Sequence, residues 1–255
     1  RGSGILLSIS SLPSPYGIGT LGREAYNFVD LLGDLKQKYW QVLPVGPTIF
    51  GDSPYQPSSG CAGNIYFIDL DKLVDEGLLE KEEILGYNWG TDESEIDYAA
   101  LHQNRCRILQ KAFERFDTNA QDFQDFVKKQ SEWLEQYALF MTLKTDNLYK
   151  NWSEWSSEYR NPQTVALEKY QKKNYNTITF WKFCQYKFFE QWEDLKNYAN
   201  SKGVYIIGDI SFYVGYDSVD VWAERQLFMM SANDTPEYVA AAGPDKYSES
   251  GQVWG

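Results

Sequence analysis

The feature that most constrains this chain is the run Tyr39-Trp40-Gln41-Val42-Leu43-Pro44, which empties into a long polar loop, Gly51-Asp52-Ser53-Pro54-Tyr55-Gln56-Pro57-Ser58-Ser59-Gly60-Cys61-Ala62-Gly63-Asn64. A run apolar on both faces predicts a parallel strand covered on both sides, and such strands place their sites at their carboxyl ends. The loop follows that end. It offers a carboxylate (Asp52), a hydroxyl (Ser53), a phenol (Tyr55) and an amide (Gln56), with Pro54 and Pro57 stiffening the backbone between them. These groups suit a neutral polyhydroxylated ligand; they equally suit an ordinary turn with polar tips.

Upstream, residues 4–9 form a short apolar run, 10–17 read as loop, and 24–37 read as an amphipathic helix with Tyr26, Phe28, Val29, Leu31, Leu32 and Leu35 as its apolar set. Strand, helix and strand make a β-α-β unit and therefore a parallel sheet. Gly17-Ile18-Gly19-Thr20-Leu21-Gly22 matches the spacing of a dinucleotide fingerprint. Two prolines separate it from the strand, and the second strand runs into Val42-Leu43-Pro44-Val45-Gly46 with no acidic residue to hold a ribose, so no nucleotide site is expected.

Residues 65–68 read as a short extended run and 71–79 as a short helix. From about 80 to 200 the pattern is helical, over 96–116, 120–147 and 177–201, broken by Asp117-Thr118-Asn119 and by the polar stretch 150–176. The sheet resumes with Val204-Tyr205-Ile206-Ile207, which leads into Gly208-Asp209, and a helix starts within 217–221. A carboxylate at the carboxyl end of a buried strand, behind a glycine, makes Asp209 the best single site candidate, with a helix cap or a loop salt bridge as the alternative. The stretch 243–255 reads as another glycine-punctuated loop. The organisation expected is 1–79 as first barrel-type strands with substrate loops, 80–200 as a mainly helical insertion, and 201–255 as a further strand and substrate loop.

The 255 residues suffice for one large domain or for a domain with an insertion. A net charge of -12 and a pI near 4.6 argue against nucleic acid or an anionic membrane as partner. Cys61, Cys106 and Cys184 show neither disulfide-framework nor zinc spacing, and His102, the only histidine, leaves no Ser-His-Asp triad and no histidine metal site. No apolar run is long enough to span a bilayer and no signal peptide is read, so a cytoplasmic location is expected. Aromatic residues make up 16% of the chain, nine of them Trp. They are either helix core or platforms for the C–H faces of sugar rings.

Several blocks together resemble the 4-alpha-glucanotransferases known as amylomaltase, disproportionating enzyme or D-enzyme. They are Ser3-Gly4-Ile5-Leu6-Leu7, Ser11-Leu12-Pro13-Ser14-Pro15-Tyr16-Gly17-Ile18-Gly19, the 39–44 run, Gly51-Asp52-Ser53-Pro54-Tyr55-Gln56, Gly208-Asp209-Ile210, Asp217-Ser218-Val219-Asp220-Val221-Trp222 and Gly251-Gln252-Val253-Trp254-Gly255. The resemblance covers nearly the whole length. It implies an α/β fold, a (β/α)8 TIM barrel with helical subdomain insertions that is incomplete in this chain. It implies action on α-1,4-glucans and malto-oligosaccharides, with no required metal or organic cofactor. Residues similar to Ser53, Tyr55 and Asp209 line the family's donor sugar site, and those similar to Gln252 and Trp254 contact the glucan near the bond that is cut. The implied mechanism is retaining double displacement, with a sugar hydroxyl resolving the glycosyl-enzyme.

The chain departs from the family pattern at Ser211, where proline is usual, at Lys246, where an aromatic is common, and along Pro57-Ser58-Ser59-Gly60-Cys61. In the family, the nucleophile, the acid/base and a third acidic residue all follow the block that ends at Gly255. Residues 1–255 alone are therefore expected to fold poorly and not to transfer glucosyl units. The other readings of the same residues are a noncatalytic α-glucan-binding fragment and an amylase-like hydrolase.

Overall fold

The structure is a computed structural model that describes residues 2–48, 52–92, 94–162, 164–246 and 248–254. In chain order its elements are β1 (Gly4–Leu6), α1 (Arg23–Asp34), β2 (Tyr39–Gln41), α2 (Leu70–Asp75), α3 (Lys81–Leu85), α4 (Tyr98–Arg115), α5 (Gln121–Lys129), α6 (Ser131–Asp146), α7 (Ser157–Arg160), α8 (Val165–Lys173), α9 (Tyr175–Ser201), β3 (Tyr205–Ile207), α10 (Val219–Ala223), β4 (Ala240–Ala242) and β5 (Gln252–Trp254). They fall into two compact units. The first holds Arg1–Val45, Gly63–Lys129 and Phe183–Asp209; the second holds Gly46–Ala62, Gln130–Lys182 and Ile210–Gly255.

The first unit is built on a parallel sheet in the order β1-β2-β3, with Ile5, Trp40 and Ile206 in register across it. The β-α-β reading of 4–44 therefore holds, with β2 in the centre. The expectation that this strand is covered on both faces does not. Trp40 is fully buried, donating its indole N–H to Leu7 O at 2.8 Å with the Phe28 ring 5.0 Å away. The opposite face leaves Leu6, Tyr205 and Ile207 exposed at 56%, 54% and 43%. The three-stranded sheet is thus packed on one face and open on the other.

Helix α1 buries Ala25, Val29 and Leu32, the i, i+4, i+7 stripe, while Leu31 and Leu35 face outward. Its N-terminus settles the glycine fingerprint. Gly22 is the N-cap, a Cβ there would lie 1.9 Å from an Asp69 carboxylate oxygen, and Thr20 Oγ1 donates to the same carboxylate at 2.6 Å. A phosphate would have to displace Asp69 to reach this helix end.

Two buried glutamines of α9 organise the segment that follows the polar loop. The Gln185 amide accepts from Gly63 N at 2.7 Å and donates to Gly63 O at 3.0 Å; Gln191 does the same for Asp69, at 2.7 and 3.2 Å. A Cβ on Gly63 would lie 2.0 Å from the Phe188 ring, so only glycine brings the backbone close enough for this pairing. Gln185→Leu strips both partners from a buried peptide group. We expect a loss of about 2 kcal/mol, read as a lower urea midpoint with an unchanged slope.

The second unit has an aromatic core. Phe140 of α6, Trp155 and Trp222 pack with ring centroids 5.4 to 6.1 Å apart, and the buried Trp152 and Trp222 indoles donate to Tyr216 O and Tyr159 O. Trp40, Trp89, Trp152, Trp155, Trp181 and Trp222 are all buried, so for these the core reading of the aromatic excess is correct.

Four local expectations are corrected. Residues 65–68 are not extended: the Asn64 side chain accepts from Tyr66 N at 2.9 Å and caps a 3-10 turn over Ile65–Phe67. The single helix over 120–147 is two, α5 and α6, meeting at Gln130. Lys128 and Lys129 end the first and Glu132 opens the second, the charge order that successive helix ends favour. The polar stretch 150–176 holds α7 and α8. The tail is not all loop, because β5 pairs antiparallel with β4.

Candidate functional site

The polar loop after β2 folds as a chain of tight turns within the second unit; Gly51 lies outside the described residues. Asp52 has φ of 54°, a left-handed backbone that turns the chain sharply. The Ser53 hydroxyl accepts from Tyr55 N at 3.3 Å and Ser53 O accepts from Gln56 N at 3.2 Å, which holds the Tyr55 ring out, 44% exposed. Farther on, the buried Ser59 hydroxyl accepts from the amides of Cys61 and Ala62, at 3.2 and 3.1 Å.

Four contacts anchor this loop. Ser211 Oγ donates to Pro54 O at 3.2 Å, so the residue that departs from the family pattern makes a bond that proline could not. The Asp220 carboxylate accepts from Gly60 N at 2.9 Å, beside Val219 N donating to Ser58 O at the same distance. Partial burial raises the Asp220 pKa above the ordinary carboxylate range against the lowering pull of the Gly60 amide. Gln56 Nε2 reaches Val253 O at 3.5 Å and ties the loop to β5.

That last contact brings sequence-predicted residues together. In the β4–β5 ribbon Ala240 is paired with Trp254 and Ala242 with Gln252, and Gly251, with φ of 76°, turns the chain into β5. Ser53, Tyr55, Gln252 and the backbone of Trp254 thus belong to one hydrogen-bonded assembly of the second unit. Lys246 lies in the ribbon's connecting loop, exposed; Tyr247 and Gly255 lie outside the described residues. Asp209 is half-buried and belongs to the first unit, two residues beyond β3, and the space beside the preceding Gly208 is open.

Sequence reasoning missed the anchors. Ser211 registered only as a departure, and Asp220 only as a member of a matching block, although the Asp217-Ser218-Val219-Asp220 run already carried the signal of a capped helix start. Ser218 Oγ does cap α10, accepting from Val221 N at 3.3 Å. Among the described residues, no three His, Cys, Asp or Glu side chains converge as metal ligands, and no helix is long and apolar enough to cross a membrane.

A model of the glycoside hydrolase group described as 4-alpha-glucanotransferase matches residues 7–255. The chain belongs to the 4-alpha-glucanotransferase family. It is similar to the 4-alpha-glucanotransferase of Streptococcus pneumoniae, 45% identical over all of this chain and 51% of that protein, and to that of Clostridium butyricum, 42% identical over 98% and 52%. Its fold is similar to that of a Streptococcus agalactiae amylomaltase solved in complex with acarbose, with a TM-score of 0.94 and 40% identity over all of this chain and 52% of that one. The chain spans about half the length of the curated relatives it matches. The fold class is that of this family, a TIM barrel of which three parallel strands are seen here, and the polar loop follows β2 in the chain, on the carboxyl side where such barrels place their sites.

Proposed function

We propose that this chain forms the glucan-binding side of a 4-alpha-glucanotransferase, which moves α-1,4-glucan segments between malto-oligosaccharides or onto glucose by retaining double displacement. The observation that carries the reading is the family match over residues 7–255, together with a loop that presents Ser53 and Tyr55 and is hydrogen-bonded to the strand of Gln252. Ser53, Tyr55 and Asp209 bind the donor sugar, while Gln252 and Trp254 hold the glucan next to the bond that is cut. The chemistry needs a carboxylate nucleophile and a carboxylic acid about 5 Å apart, and these roles are assigned to none of the five. Residues 1–79 and 201–255 carry barrel strands and substrate loops, and 80–200 is the helical insertion. Three cysteines without a disulfide framework fit a cytoplasmic enzyme.

The test is to express the full reading frame containing residues 1–255 and incubate it with maltotriose. Glucose together with maltodextrins longer than the donor is the expected product pattern by chromatography. Glucose and maltose without longer chains would indicate hydrolysis, and binding without turnover would indicate a glucan-binding protein; either outcome replaces the proposal. Tyr55→Ala removes a platform and a hydroxyl from the donor site and is expected to cost about 1 to 2 kcal/mol of transition-state binding, read as kcat/KM for maltotriose.

A further inference from the structure

The second unit contains a cavity of about 850 Å3 whose lining includes none of Ser53, Tyr55, Asp209, Gln252 and Trp254. We propose that this cavity is a further subsite for an α-1,4-glucan chain, engaging a stretch of malto-oligosaccharide between Trp133 and Tyr238. The inference rests on the proposed function for its substrate class.

Its size lies in the roughly 300–1,000 Å3 range of pockets that enclose small ligands. Its chemistry selects among them. Glu132, Trp133 and Gln136 of α6 form one wall, with Glu132 and Gln136 one turn apart, and Asp220 and Glu224 add carboxylates from α10 and the residue after it. No Lys or Arg is among the lining residues, so phosphorylated and carboxylated ligands are repelled. Tyr238 is 74% exposed and Trp133 half-buried, a ring on offer from each of two segments. Rings that take C–H faces, beside carboxylates and an amide that take hydroxyls, fit a neutral sugar chain, and apolar side chains such as Val219, Leu227, Phe228 and Met230 complete the wall against its C–H faces.

Continuity gives the direction. Ser59 and Cys61 in the lining belong to the loop that carries Ser53 and Tyr55. Tyr213 follows two residues after Ser211, which is bonded to Pro54 O, and Ala240 in the lining is the backbone partner of Trp254. The cavity walls are thus extensions of the elements that present the proposed donor and scissile-bond contacts.

Cys61 supplies a local reporter, because it lines the cavity and is exposed, whereas Cys106 is half-buried and Cys184 buried. Burial, then the Asp220 and Glu132 carboxylates, raise its thiol pKa, so alkylation is run at mildly alkaline pH. In the full reading frame, maltoheptaose at about ten times its Kd is expected to slow Cys61 alkylation roughly tenfold, mapped by mass spectrometry, with Cys106 unchanged. Tyr238→Ala and Trp133→Ala are expected to move the protection midpoint to about threefold to tenfold higher sugar while leaving maltotriose turnover unchanged. Tyr238→Ala is the folding-neutral variant, since that side chain is mostly exposed. Equal alkylation with and without maltoheptaose overturns the subsite while transfer activity stands, as does protection that both variants leave intact. Cys61 that reacts only after denaturation would mean polypeptide fills the cavity, which also overturns it. Sugar protection in a protein that transfers nothing would keep the subsite and overturn the proposed reaction.

Discussion

Asp209→Asn in the full reading frame is expected to lower kcat/KM for maltotriose about 100-fold, with the thermal midpoint close to wild type. The reasoning starts from the acceptor. A carboxylate takes two hydroxyl protons through charge-assisted bonds, whereas an amide presents a donor on one of the same arms. Each bond to a charged group contributes about 1.5 to 3 kcal/mol, and every 1.4 kcal/mol is a factor of ten, so weakening one and losing the other reaches two orders of magnitude. Asp209 stands half-buried just past β3, beside open space at Gly208, where a sugar ring could approach. The effect should fall mainly on kcat if the contact strengthens in the transition state, and on KM if it serves ground-state binding alone. An unaltered kcat/KM would reduce Asp209 to a structural carboxylate.

Lys144→Met is the substitution expected to cost the most stability, about 3 kcal/mol. The Lys144 side chain is 7% exposed, and its ammonium holds three acceptors at once: the Asp217 carboxylate, Lys150 O at 2.9 Å and Tyr149 O at 3.2 Å. Leu148 and Tyr149 both have left-handed backbones, with φ of 53° and 58°, and the ammonium is what satisfies the carbonyl groups this bend turns inward. Removing one partner of a buried pair typically costs 3 to 5 kcal/mol, and the 22% exposure of Asp217 places this pair at about the low end. For a chain this long that corresponds to roughly 6 to 12 °C in thermal midpoint. Asp217 also accepts from Trp152 N at 3.2 Å and immediately precedes the N-cap of α10, whose Asp220 anchors Gly60. The loss should therefore reach the polar loop as faster amide exchange over 58–62. A midpoint within about 2 °C of wild type would show that the methionine stem recovers by packing what the charge supplied.

Much of the fold that carries the candidate site was legible from residue order, for reasons that stay local. Apolar runs at 4–9 and 39–44 joined by an amphipathic helix long enough for a crossover read as parallel strands, with 204–207 as a further strand, and a parallel strand fixes which end its loop occupies. That placed Ser53, Tyr55 and Asp209 at strand carboxyl ends. The Gly51–Gln56 and Gly251–Gly255 blocks, read as words, identified the family that the match over 7–255 then showed. Other features could not be read this way. Gln185 and Gln191 look like polar interruptions of a helix, yet each closes on a peptide group 122 residues away. Asp69 could not be recognised as the carboxylate in front of α1, nor Asp220 as the anchor of Gly60, because each acquires its partner only when distant segments meet.

Residue order alone determined the parallel strand-helix-strand start, the side of the sheet on which the loops lie and the family, because each follows from periodicity, turn chemistry or a contiguous run of residue types. The tertiary structure decided which aromatics are core, that β2 is covered on one face, that the tail pairs as β4 and β5, and that Lys144, Asp220 and Ser211 tie the loops down. Burial and the pairing of a polar side chain depend on what packs against it, and those neighbours lie tens to hundreds of residues away, outside any window that periodicity can read.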